Sequence, residues 1–164
     1  MLRMRCAKPQ TRTIASKATF GAREFAVIGI MTPEEIEATL GRIGTGRIAC
    51  SLNDRPYVVP ISYVYADGCI YAYSTLGRKV MIMREQPLVC FEVEEIDGPT
   101  SWRSVIVEGR YEELVDEAER KDALRRLANG SGSMVPRVSE ASSGAVVFRL
   151  RPETKSGRFE SRDA

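Results

Sequence analysis

Ile70-Tyr-Ala-Tyr-Ser-Thr-Leu-Gly-Arg-Lys79 is the stretch on which the reading of this chain turns. Its first half alternates as a strand does, and its second half breaks at Gly77 into two adjacent cations. Ser74 and Thr75 offer hydroxyls, Gly77 permits a tight turn or the close approach of a ligand, and Arg78 and Lys79 bring charge-assisted donors. If Val80 to Arg84 continue as a helix, the free amides of its first turn point to the same place. The segment therefore reads either as a phosphate grip or as a strand-to-helix turn with two solvated cations.

Upstream, Ala66-Asp67-Gly68 is a hairpin turn that leads back into an apolar strand from Tyr57 to Tyr65, and Asn53-Asp54-Arg55 links that strand to another from Arg47 to Leu52. Before them, Thr32-Pro-Glu-Glu35 predicts a helix start, with threonine at the N-cap, proline at the first helical position and glutamate closing a capping box. Ile36 and Leu40 then share one helix face. Downstream, Pro87 stops a short helix over 78–85, and strands are expected over 88–94 and 102–114, separated by Asp97-Gly98-Pro99. Asp116 caps a further helix with Glu119 three residues on, Asn129 to Ser133 is a loop, and Ala145 to Leu150 forms a last strand before Pro152. Six strands joined mostly by tight turns predict a mainly β fold with peripheral helices, an antiparallel barrel.

Composition narrows the chemistry. The 164 residues suit one domain, and 43% hydrophobic content is enough for a core without disulfide or metal. Cys6, Cys50, Cys69 and Cys90 are scattered, with no Cys-x-x-Cys pair, and read as free thiols of a reducing cytoplasm. There is no histidine, which removes Ser-His-Asp and Cys-His catalysis and most catalytic zinc sites. Proton transfer must use other side chains or water, or be carried out on a bound cofactor. Arg3, Arg5, Lys8, Arg12, Lys17 and Arg23 all precede the first acid, Glu24, so the basic character sits in residues 1–30 and the body is mildly acidic. This argues against a broad nucleic-acid footprint, and no apolar run is long enough to span a membrane. Residues 1–30 are expected to be a flexible arm, or sequence upstream of a true start at Met31.

Three further segments admit a functional and an ordinary reading. Pro60 lies inside the apolar run Pro56-Tyr-Val-Val-Pro-Ile-Ser-Tyr63, where it demands an edge, a bulge or an exposed backbone that a planar ligand could use. In Ser101-Trp-Arg-Ser-Val105, alternation places Trp102 and Ser104 on one face and Arg103 and Val105 on the other; the tryptophan could cover a cofactor, a subunit interface or part of the core. Gly41-Arg-Ile-Gly-Thr-Gly46 has the glycines of a dinucleotide loop but follows a helix and precedes a strand, the reverse of what phosphate binding requires.

The order Pro56-Tyr-Val-Val-Pro-Ile-Ser-Tyr63, Ile70 to Lys79, Arg84-Glu-Gln-Pro-Leu-Val-Cys-Phe-Glu-Val93, Ser101-Trp-Arg-Ser-Val105 and Gly109 resembles the pyridoxamine 5'-phosphate oxidase-like family of FMN-binding split β-barrels, and within it the nitroimidazole-resistance branch. The resemblance covers about residues 31–158 and implies a six-stranded antiparallel split barrel there, with 159–164 as a tail. It implies a homodimer with FMN at the subunit interface. Val59, Pro60, Ile61 and Ser62 would lie along the isoalloxazine ring, while Tyr73, Ser74 and Thr75 line the strand leading to the phosphate. Arg78 and Lys79 would hold the phosphate, Ser104 falls where the oxidase has a flavin-contacting glutamine, and Trp102 and Arg103 stand near the ring or across the interface.

The chain also departs from its family. The oxidase proper has an arginine and a lysine where Val59 and Val64 stand, and uses a histidine near its C-terminus for substrate. Nitroimidazole-resistance proteins commonly have a histidine at the position of Tyr73. The expectation is thus a cytoplasmic FMN-dependent reductase of an undefined small molecule, with NAD(P)H as a possible donor, rather than a pyridoxamine phosphate oxidase. A deazaflavin-dependent reductase and a non-catalytic flavin-binding or redox stress protein are the alternatives.

Overall fold

The computed structural model describes residues 27–130 and 144–161, which contain eight strands and three helices. In chain order these are β1 (Val27–Ile30), α1 (Pro33–Arg42), β2 (Thr45–Leu52), β3 (Arg55–Ser62), β4 (Val64–Ala66), β5 (Cys69–Ser74), α2 (Arg78–Glu85), β6 (Leu88–Gly98), β7 (Ser101–Glu113), α3 (Glu117–Asn129) and β8 (Val146–Ser161).

Local chemistry sets the turns. Asn53 and Asp54 both adopt positive φ, as a two-residue hairpin link between Leu52 and Arg55 requires, and Asp67-Gly68 does the same between Ala66 and Cys69. The expected capping box closes on α1: the Glu35 amide donates to Thr32 Oγ1, and the Thr32 amide donates to Glu35 Oε2 at 2.7 Å. Ile36 and Leu40 turn inward from that helix.

All strand pairs are antiparallel, and the sheet runs β3-β2-β6-β7-β8-β5-β4, with β1 added to β8. Its two ends, β3 and β4, are consecutive in sequence and separated by Tyr63 alone. A sheet whose terminal strands are joined by one residue must roll up, yet no ladder among the described residues closes it, and the result is a barrel split along β3. Tyr63 anchors the seam: its amide donates to the Gly44 carbonyl, its hydroxyl to the Leu40 carbonyl at 2.9 Å, and its ring meets Phe91 edge-on. Ile48, Phe91, Val93, Val105, Ile70 and Phe148 fill the interior. A second apolar cluster, with Tyr71, Leu114, Ala123, Leu127 and Val147, seats α3 on the outside of β5 and β8.

The fold class is as expected, but there are eight strands rather than six. Tyr63 divides the expected 57–65 strand in two. Val27–Ile30 adds a strand by pairing with Arg158–Ser161, ahead of the expected domain start at residue 31. β8 continues through Pro152 instead of stopping at Leu150, because the register shifts at Glu108/Gly109 and that irregularity absorbs the proline's missing donor. The remainder of the basic arm, with Arg3 to Arg23, lies outside the described residues. Among the described residues no helix is long and apolar enough to cross a membrane.

Candidate functional site

β5 delivers the buried Ser74 to the mouth of a turn whose last residue, Gly77, caps α2 with extended backbone and no side-chain hydrogen bond. The Ser74 hydroxyl donates to the Thr75 carbonyl at 2.8 Å, fixing the turn. Val80, Ile82 and Met83 bury one face of α2, so its N-terminus is held rigidly above the sheet. The other two helices treat their N-termini differently. Thr32 caps α1, Asp116 caps α3, and both have acids in the first turn. In α2 the first turn carries no acid and begins with Arg78 and Lys79, two cations placed against the positive end of the helix dipole. Such an arrangement is unfavourable unless an anion compensates it.

The two cations differ in setting. Arg78 lies over the ring of Tyr57 on β3, 4.8 Å from its centroid. Lys79 is half-buried, and burial lowers its pKa below the ordinary lysine value. Beside them Cys50 on β2 is buried; desolvation pushes its thiol pKa up, and the nearby Lys79 and Arg78 offset this only in part. Among the described residues neither Arg78 nor Lys79 has a carboxylate partner, whereas Arg42, Arg47, Arg84, Arg149 and Arg151 all do.

Val59, Pro60, Ile61 and Ser62 occupy the second half of β3, whose sole ladder partner among the described residues is β2. Backbone groups directed away from β2 therefore meet no strand, which is how Pro60 is accommodated and how a planar ligand could be bonded. Ile61 turns into the barrel, and Pro60 faces outward. Thus β3, Ser74, Thr75, Arg78 and Lys79 converge at the split.

Tyr73 alternates away from Ser74 and packs in the cluster beneath α3, so only its backbone follows the line of the grip. Trp102, Arg103 and Ser104 lie on β7, separated from β3 by β6 and β2, and do not join the cluster within one chain. Each is engaged by a carboxylate there: the Trp102 indole donates to Glu160 at 2.6 Å, the Ser104 hydroxyl donates to Glu92 at 3.1 Å, and Arg103 stands 3.6 Å from Glu95. The acidic run Glu92, Glu94 and Glu95 is itself paired with Arg47 and Arg42. Sequence reasoning singled out neither Tyr57 nor Cys50. The signal for Tyr57 was its period-two relation to Val59 and Ile61, which places all three on one strand face.

Residues 32–159 match the family model described as pyridoxamine 5'-phosphate oxidase. An uncharacterised protein of Rhizobium meliloti (strain 1021) is 36% identical over 142 residues, 80% of this chain and 94% of that protein. The solved structure of an FAD-binding protein from Mesorhizobium loti is 33% identical, covering 82% of this chain and 99% of its own, with a TM-score of 0.68. An FAD-binding protein of Mycobacterium smegmatis shares the fold, with a TM-score of 0.63 at 23% identity over 80% of this chain and 98% of its own.

Proposed function

The chain belongs to the pyridoxamine 5'-phosphate oxidase family, and on that premise we propose that it is a flavin-binding protein acting as a reductase of a small molecule. The observation that carries this reading is the α2 N-terminus, without a side-chain cap, free of acid in its first turn and loaded with two cations that no carboxylate among the described residues neutralises. A phosphate there would complete the helix end and supply the missing counter-charge. The relative from Mesorhizobium loti is named as an FAD-binding protein, which supports a flavin as the owner of that phosphate.

In this reading Arg78 and Lys79 hold the phosphate of the FMN unit, with Ser74 and Thr75 lining its approach. The free backbone edge of Val59 to Ser62 orients the ring. The flavin, when bound, supplies hydride or electron exchange. The protein supplies position and charge, and with no histidine it offers no imidazole for proton transfer. Trp102, Arg103 and Ser104 would serve the site of a second copy in a homodimer. An exposed apolar patch on the face of Trp102 and Ser104 supports that role for these two, since Ile28 and Ile96 lie in the same cross-strand row as Trp102, with Ile30 and Ile106 on the same face.

Reconstitution tests the proposal. The purified protein incubated with FMN or FAD is expected to retain a flavin absorbance spectrum after desalting and to be bleached anaerobically by NADH or NADPH. Retained colour without bleaching by either donor would leave a binding protein and contradict the reductase. A protein that retains neither flavin contradicts the whole reading.

A further inference from the structure

Beyond Arg78, on the side away from Val59 to Ser62, a cavity of about 500 Å³ opens between the β2–β3 turn and α2. Its size lies within the roughly 300–1,000 Å³ of small-ligand sites. Arg55 and Arg78 are its cations, Glu85 its carboxylate, and Leu52, Met81 and Ile82 its apolar walls. Among the described residues Arg55 has no carboxylate partner, and Met81 leaves about half of its surface uncovered. Asn53 and Asp54, locked at positive φ, hold the turn that forms one wall.

The layout along β3 is linear. Arg55, Tyr57, Val59 and Ile61 share one strand face at intervals of roughly 6.6 Å, from the ordinary strand rise. The ring-orienting segment, the Arg78–Tyr57 stack and the Arg55 cavity therefore follow one another along a single strand. A ligand whose phosphate sits at Arg78 has its ring on one side and this cavity on the other. The cavity's contents are also not those of a bare anion site. Two guanidinium groups suit a second phosphate, Glu85 can accept from ribose hydroxyls or an exocyclic amine, and Leu52 and Met81 offer apolar surface to a base.

We propose that this cavity binds a nucleotide joined through the flavin's phosphate, so that the preferred cofactor is the dinucleotide FAD and Arg55 selects it over FMN. This rests on the flavin reading above and adds a specificity site to it. Fluorescence titration of the apoprotein with each flavin tests it. Wild type is expected to bind FAD at least tenfold more tightly than FMN, the ratio that one charge-assisted phosphate contact supplies, roughly. Arg55→Ala, at an exposed position beside a turn, is expected to lose most of that ratio while its FMN affinity stays at the wild-type value. Filling the cavity with Met81→Trp should do the same. Equal wild-type affinities for the two flavins, or an equal loss of both in Arg55→Ala, would overturn the proposal while leaving the flavin reading intact. Failure of wild type to bind either flavin would refute both.

Discussion

At the scale of single residues, the proposed phosphate site rests on what Lys79 lacks, a carboxylate partner among the described residues. A half-buried ammonium with its pKa lowered by desolvation costs stability when charged. The unfolded chain holds that proton more tightly than the folded one, so this contribution to apoprotein stability rises as pH climbs from the depressed folded value toward 10.5. Phosphate binding has the opposite dependence, because it needs the cation. Flavin affinity should therefore decline with rising pH before the ordinary lysine range is reached, and Lys79→Arg, which stays charged, should remove that decline. A wild-type pH profile of flavin affinity that coincides with that of Lys79→Arg would show that Lys79 does not carry phosphate. Lys79 and Arg78 were legible in the sequence as a basic pair after glycine. That Arg78 stacks on Tyr57 was not, because the pairing depends on β3 and α2 meeting across the split.

At the scale of elements, the sequence is most readable where a signal is local. Thr32-Pro-Glu-Glu35 carries its own capping chemistry, and α1 begins where that chemistry says. β1 carries none: Val27–Ile30 becomes a strand because Arg158–Ser161, at the far end of the chain, offers an edge. The extension of β8 through Pro152 is likewise non-local and depends on Gly109 opposite. A Cβ at Gly109 would run into the Arg151 carbonyl, which is backbone and cannot rotate aside. Gly109→Ala is thus expected to destabilise the fold by about 1–3 kcal/mol, measured by urea unfolding. A change within about 0.5 kcal/mol, the range of neutral surface substitutions, would show that the irregularity relaxes freely.

At the scale of the whole molecule, the rolled sheet explains why the proposed site lies where it does. Its seam falls between consecutive strands, leaving the β3 backbone edge open beside the uncapped end of α2. The same rolling turns Trp102 and its apolar neighbours outward on β7, remote from the grip of their own chain and available to another. The central claim is that the α2 N-terminus and its two cations hold a flavin phosphate, and equilibrium flavin titration of the Arg78→Ala, Lys79→Ala double variant tests it most directly. Both side chains are at least partly exposed and make no ion pair among the described residues, so the variant should fold. Loss of two charge-assisted contacts predicts a fall in affinity of roughly a hundredfold or more. Flavin affinity equal to that of wild type in a folded double variant would contradict the account.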